Sequence, residues 1–178
     1  EVYAELRDRL EQQFRAAQTG APEEAEVTVV PLIDEGAAER VASLIEAAEA
    51  QGATRVVGGP RQGALIPATL LTDVPTSAAV NRSEAFGPLA TLCSVAGPAE
   101  AFAAINDSEF GLQAGVFSDD LQVVLAAHAA LEVGGILHDD VPTWRVDEMP
   151  YGGVKASGIG REGLREAIRD LSEPRLLV

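Results

Sequence analysis

"LQAGVFSDDLQVVLAAHAALEVGGILHDD" occupies Leu112 to Asp140, and its three parts differ in kind. "LQAGVF" is short and apolar, as a buried strand is. "SDDLQVVLAAHAALEVGG" opens on Ser118 as a cap, places two aspartates in a first turn and stops at Gly134, which predicts a helix. "GGILHDD" starts as a second strand. Strand, helix and strand in one run suit a parallel crossover.

The alternation continues on both sides. Upstream, "LATLCSV" from Leu89 predicts a strand, and "GPAEAFAAIND" a short helix with Pro98 in its first turn. Downstream lie the glycine-rich "MPYGGVKASGIGREG" (Met149 to Gly163), the helical "REGLREAIRDL" and a short apolar strand, "RLLV". Nearer the start, Val2, Leu6, Leu10 and Phe14 recur at helical spacing, giving an amphipathic helix from Glu1 to about Gln18. "TGAPEEAE" is a loop, and "VTVVPLI" is ambiguous because Pro31 argues against a central strand. Asp34 caps a second helix whose face is Val41, Leu44, Ile45 and Ala48. "TRVVGG" reads as a short strand, and "ALIPATLLTDV" as an irregular or edge strand broken at Pro67. The expected fold class is α/β: an open, mostly parallel sheet with helices on both faces, forming a single domain over residues 1–178.

Composition narrows the partners. Acidic residues outnumber basic ones 28 to 13, for a net charge of -15. Such a chain repels a phosphate backbone unless its cations cluster, and no basic stripe or aromatic platform is present, so nucleic acid is not an expected partner. No run approaches the roughly 20 apolar residues of a membrane-spanning helix, so no membrane role is expected. Cys93 is the one cysteine, which excludes an internal disulfide and fits a reducing compartment. With no charged-then-apolar leader pattern at the start, the expected location is cytoplasmic. The first residue is Glu1, and the helical pattern begins there without a cap, as in a piece of something longer.

Few side chains suggest chemistry. Cys93 lies within an apolar strand and reads as a small buried hydrophobe. His128 shares a helix face with Leu121, Val124 and Leu125 and reads as a packing histidine. His138, Asp139 and Asp140 sit together at a strand end, but one histidine without a second cluster is a poor metal set, and no metal is expected. Gly158 to Gly163 matches G-x-G-x-x-G, yet a dinucleotide fingerprint must open a crossover helix with an acid about twenty positions on, and the chain ends sooner. Tight turns and close backbone approach explain these glycines better. In "SEAFGP" (Ser83 to Pro88), strand alternation would put Glu84 and Phe86 on one side. A carboxylate beside a ring suits a ligand with hydroxyls at one end and a flat ring at the other; a turn with a packed phenylalanine is the plainer alternative.

Taken together, "VYAELRDRL", "PLIDEGAAERVASLIEAAEAQGA", "SEAFGPLATL", "NDSEFGLQAGVFSDDL", "VGGILHDDVPTWRVDEMPYGGVKASGIGREG" and "EPRLLV" resemble, in order, the C-terminal part of the catalytic domain of the aldehyde dehydrogenase superfamily. The E-x-F-G-P stretch and the P-Y-G-G-V-K-x-S-G-x-G-R-E run carry the resemblance. It implies NAD- or NADP-dependent oxidation of a small-molecule aldehyde to a carboxylic acid through a cysteine thiohemiacetal. It further implies cofactor contacts at Glu84 and Phe86: Glu84 holding ribose hydroxyls on the nicotinamide side, and Phe86 limiting where the nicotinamide sits. Trp144 and Tyr151 match the wall of the aldehyde funnel. The family's nucleophilic cysteine, general-base glutamate and nucleotide-binding domain precede the matched region, so the chain alone is expected to be inactive. Cys93 does not align with the nucleophile, and Asp139 stands where the family commonly has asparagine. Within that family the glycine-rich segment supports the funnel, with Lys155 and Arg161 tying it to nearby carbonyls or carboxylates. "RLLV" implies a homo-oligomer joined through that strand. The alternative is a non-catalytic oligomerisation or binding module derived from the same fold.

Overall fold

Asp34 starts the helix on which the first half of the chain is built. Its Oδ1 accepts from the Ala37 N–H at 2.7 Å, satisfying one of the free donors of the first turn. The computed structural model describes residues 2–178, which divide into two compact units, 2–94 and 95–178.

In the first unit, α1 spans Tyr3–Ala16 and α2 Glu35–Ala50. Strands β1 (Thr54–Val57) and β2 (Thr69–Thr72) follow, then the short α3 (Ala79–Arg82) and β3 (Leu89–Leu92). The sheet order is β1-β2-β3, with β2 antiparallel to β1 and parallel to β3. Residues Val41, Ile45 and Ala48 of α2 are buried, as their spacing predicts, and Ala38 joins them. They pack with Ile66, Leu71, Val74, Ala78 and Val80 into one core. Leu44 lies at the margin of that core.

The segment read as an irregular or edge strand is instead the central strand, β2, and all four of its residues are buried. Pro67 denies a donor only at its own position, and the strand begins two residues later. Thr69 and Thr72 keep their hydroxyls satisfied by the Pro67 carbonyl at 2.9 Å and by Asp73 Oδ2 at 3.0 Å. The fully buried Leu70 and Leu71 each contribute about 2 kcal/mol by leaving water. Helix α1 forms where expected, but Val2 and Leu6 on its apolar stripe are exposed; its expected start at Glu1 lies outside the described residues.

The second unit begins with α4 (Pro98–Asn106), with Pro98 in its first turn as expected. The strands β4 (Phe110–Gly111) and β5 (Gln113–Val116) lead to α5 (Leu121–Ala130), and β6 (Gly135–His138), β7 (Val154–Lys155) and α6 (Leu164–Asp170) complete it. The strand–helix–strand reading holds: β5 and β6 pair in parallel from Gln113–Gly135 to Val116–His138, with α5 between them. The helix is shorter than expected. Ser118 Oγ accepts from the Asp120 N–H at 3.1 Å and turns the chain, so Asp120 is the cap, accepting from Gln122 N–H at 2.8 Å. At the other end, the Asn106 amide donates to the Ala130 carbonyl at 2.7 Å and its oxygen accepts from Glu132 N–H at 2.8 Å. This clamp stops α5 before Gly134 is reached.

The class is α/β, but the sheets are small and mixed. The three-stranded sheet has one pairing of each kind, β5–β6 is parallel, and β4–β7 is antiparallel. "RLLV" forms no strand, and Leu176, Leu177 and Val178 are exposed. Among the described residues no helix is long and apolar enough to cross a membrane.

Candidate functional site

The E-A-F-G-P stretch (Glu84 to Pro88) joins α3 to β3, and both its ends are fixed. Ser83 N–H donates to the Ala79 carbonyl at 2.8 Å, ending α3, and the Pro88 carbonyl accepts from the Thr69 N–H of the buried β2 at 2.8 Å. Between them the loop lies on α2. A Cβ on Gly87 would stand 2.8 and 3.0 Å from the two Val41 methyls, so glycine permits the contact. One residue earlier on α2, Arg40 Nη2 donates to the Ala85 carbonyl at 2.8 Å.

Between these contacts Phe86 sits at φ 47°, in the left-handed region, and the residue is 70 % exposed. The backbone is therefore not a plain strand here, and period-two alternation does not relate Glu84 to Phe86. Neither is the phenylalanine packed inside a turn. Glu84 is exposed and has no hydrogen-bond or ion-pair partner among the described residues. A free carboxylate and an outward-facing ring two residues apart fit a ligand bearing hydroxyls and a flat ring. Gly87 and Pro88 also line an open groove of about 400 Å³ with Phe14, Ala17, Val29 and Ala68.

In the second unit, the loop from Val141 to Tyr151 carries Trp144 and Tyr151. The Trp144 backbone N–H donates to the Val141 carbonyl at 3.1 Å, and the residue is 45 % exposed. Tyr151 is half-buried, with the Arg145 guanidinium 4.4 Å above its ring, a cation–π contact. Arg145 also reaches Glu162 Oε2 at 3.4 Å, and the Tyr151 and Glu162 backbones exchange hydrogen bonds of 3.0 and 2.6 Å. Nothing in the linear pattern singled out Arg145 or Arg40.

The glycine-rich segment packs closely, as its composition suggested. A Cβ on Gly134 would fall 1.7 Å from the Gly152 carbonyl oxygen, and one on Gly153 would lie 2.4 Å from Ser157 Cβ. Lys155 and Arg161 tie it down as expected. Lys155 Nζ donates to the Asn106 carbonyl at 2.8 Å and the Ser108 carbonyl at 3.2 Å, and pairs with Glu132 Oε2 at 2.8 Å. Arg161 Nη1 donates to the Gly153 and Gly160 carbonyls at 2.9 and 2.7 Å. The strand before G-I-G-R-E-G, β7, has two residues and pairs antiparallel with β4, unlike the parallel strand that feeds a phosphate cradle.

The other titratable groups serve locally. His138 Nε2 lies 2.9 Å from the Ser118 carbonyl, and Asp139 Oδ1 accepts from Ser118 N–H at 3.2 Å, so the end of β6 is clipped to the turn before α5. Asp140 Oδ1 accepts from Val141 N–H at 2.7 Å. Among the described residues no three His, Cys, Asp or Glu side chains converge on a metal position. Cys93 lies just beyond β3 and is exposed, not buried, because the strand ends at Leu92. The face expected to pack around His128 is largely open: Leu121 and Leu125 are exposed and Ala127 is the buried residue of α5.

The Aldehyde dehydrogenase family model matches residues 1–177. Over 177 residues the chain is 38 % identical to the 3-sulfolactaldehyde dehydrogenase of Priestia aryabhattai, covering 99 % of this chain and 37 % of that protein. It is likewise 38 % identical over 177 residues to the sulfoacetaldehyde dehydrogenase of Neptuniibacter caesariensis, covering 99 % and 39 %. Among solved structures, aldehyde dehydrogenase 21 from Physcomitrella patens, in complex with the reaction product succinate, superposes with a TM-score of 0.92 at 36 % identity. That match covers 96 % of this chain and 35 % of the other. A glyceraldehyde-3-phosphate dehydrogenase from Methanocaldococcus jannaschii, complexed with NADP, matches with a TM-score of 0.90 at 30 % identity over 97 % of this chain and 37 % of its own. The chain thus spans little more than a third of the length of these relatives.

Proposed function

This chain belongs to the aldehyde dehydrogenase family, and from that premise we propose that it is part of the catalytic domain of an NAD- or NADP-dependent enzyme oxidising a small aldehyde to a carboxylic acid. The carbon attacked is held as a thiohemiacetal by a cysteine supplied from polypeptide outside this chain. Residues 1–178 all belong to that catalytic domain, whose fold class is α/β with an open, mostly parallel sheet and helices on both faces. The working protein is a cytoplasmic homo-oligomer.

The observation that carries the reading is the Glu84–Pro88 loop, where a carboxylate with no partner among the described residues lies two residues from a ring displayed from a left-handed backbone. Glu84 accepts from the paired hydroxyls of a ribose, a charge-assisted contact. Phe86 offers a flat face that limits where the adjoining ring can lie. When bound, NAD or NADP supplies the hydride acceptor. Trp144 and Tyr151 line the aldehyde's approach, with Arg145 bracing Tyr151 through its ring face.

The test uses the full-length protein. E84Q and F86A each raise KM for NAD or NADP, E84Q by about tenfold, the worth of one hydrogen bond to a charged group. Unchanged cofactor KM in both overturns the assignment. The isolated chain is expected to show no NAD(P)-dependent turnover, and turnover would refute the external cysteine. A second reading, a non-catalytic oligomerisation or binding module, draws on the exposed Leu176, Leu177 and Val178. It is favoured if the full-length protein assembles through that tail but turns over no aldehyde.

A further inference from the structure

We propose that Arg40 is a positioning residue for the cofactor loop, holding Phe86 in its left-handed conformation by gripping the Ala85 carbonyl. The proposal deepens, and rests on, the reading of Glu84 and Phe86 as nicotinamide-side contacts.

Left-handed backbone is disfavoured for any residue with a Cβ, and a bulky aromatic lacks the short polar side chain that eases it for asparagine or aspartate. Phe86 nonetheless sits at φ 47° with its ring mostly in solvent, so packing of its own ring does not hold it there. Its neighbours do. The φ of Phe86 is set by the peptide plane it shares with Ala85, and the carbonyl of that plane is the acceptor of Arg40 Nη2 at 2.8 Å. The plane on the other side runs into Gly87, which rests against the two methyls of Val41, a residue with no exposed surface. Consecutive residues of α2 therefore fix the two peptide planes that flank Phe86.

The sequence of α2 leaves Arg40 free for this task. It is the only basic residue of the helix. Ala37, Gly36, Ser43 and Leu44 occupy the positions three and four residues away, so no carboxylate stands at helix-pair spacing to capture the guanidinium. Without Arg40 the Ala85–Phe86 plane is free to rotate toward the ordinary negative-φ region, carrying the ring away from the position in which the loop displays it.

In the full-length protein, R40A should raise KM for NAD or NADP about fivefold, the fold-change of one charge-assisted hydrogen bond at an exposed site. KM for the aldehyde and the thermal midpoint should stay near wild type. R40K, which keeps a cationic donor, should recover most of the cofactor affinity, and R40Q, which keeps part of the stem without the charge, should not. E84Q and F86A are measured alongside. If they raise cofactor KM while R40A does not, the Arg40 clamp is refuted and the cofactor reading stands. If none of the three raises it, the reading of the loop fails and the clamp with it. A fall in thermal midpoint with cofactor KM unmoved assigns Arg40 to packing alone and also overturns the proposal.

Discussion

Phe86 and Lys155 share a backbone conformation, φ 47° and 54°, and are used in opposite ways. The Lys155 side chain is 23 % exposed and secures its own segment, bonded to two carbonyls and paired with Glu132. The Phe86 side chain secures nothing; its ring points outward, and Arg40 and Val41 fix the backbone for it. At Lys155 the strained residue is the tether. At Phe86 the tether is elsewhere, and the strained residue is what the loop displays. Backbone strain of this kind persists only where surrounding structure over-determines it, and the two loops show two ways of doing so.

The contrast is broken most forcefully at Gly134. The glycine-rich segment is held by backbone approach as well as by Lys155, and a Cβ at Gly134 would sit 1.7 Å from the Gly152 carbonyl oxygen. No rotamer relieves a clash with backbone. G134A is expected to cost about 3 kcal/mol or more, measured by urea unfolding. A loss under 1 kcal/mol would mean that the segment yields easily and that the side-chain ties of Lys155 and Arg161 hold it.

Lys155 comes next. K155A removes two hydrogen bonds from a charged donor and an ion pair, and it retains the left-handed strain without the side chain that helped to offset it. Glu132 is 61 % exposed, so the ion pair itself adds little. The expected loss is about 2 kcal/mol, carried by the carbonyl contacts. K155A paired with E132A in a double-mutant cycle checks that division: coupling near zero assigns the effect to Asn106 and Ser108, and coupling of a full 2 kcal/mol assigns it to Glu132.

How far the sequence foretold these features depends on how local each one is. The Asp34 cap, the α2 face and the β5–α5–β6 crossover rest on spacings of a few residues, and they are present. So are the ties made by Lys155 and Arg161, which were expected from the family resemblance of the glycine-rich segment. The central position of β2 was missed because Pro67 marks a boundary, and a proline looks the same at the start of a central strand as in an edge strand. The cap of α5 moved from Ser118 to Asp120 because serine, aspartate and aspartate in succession all suit that place, and three-dimensional turn geometry chooses among them. Within the candidate site, Glu84, Phe86, Trp144 and Tyr151 were singled out by motif resemblance, and the roles proposed for them rest on that resemblance. The Arg40–Ala85 bond was not, since 45 residues separate its partners and neither carries a pattern. The left-handed Phe86 was equally hidden, because phenylalanine is not a residue that announces positive φ.

The smallest expected effect bears most directly on the contrast. In F86G the ring that is lost was mostly in water, so little packing energy goes with it. Glycine reaches φ 47° without the steric cost of about 1 kcal/mol that a Cβ brings, and part of that gain is returned as greater freedom in the unfolded chain. The net is a stabilisation of about 0.5 kcal/mol, read as a small rise in the urea midpoint at constant slope. Cofactor affinity should fall in the same variant, because the displayed face is gone. A residue whose removal helps the fold and harms binding is held in place for the ligand. If F86G instead destabilises by 1 kcal/mol or more, the ring packs after all, and Phe86 is a tether of the same sort as Lys155.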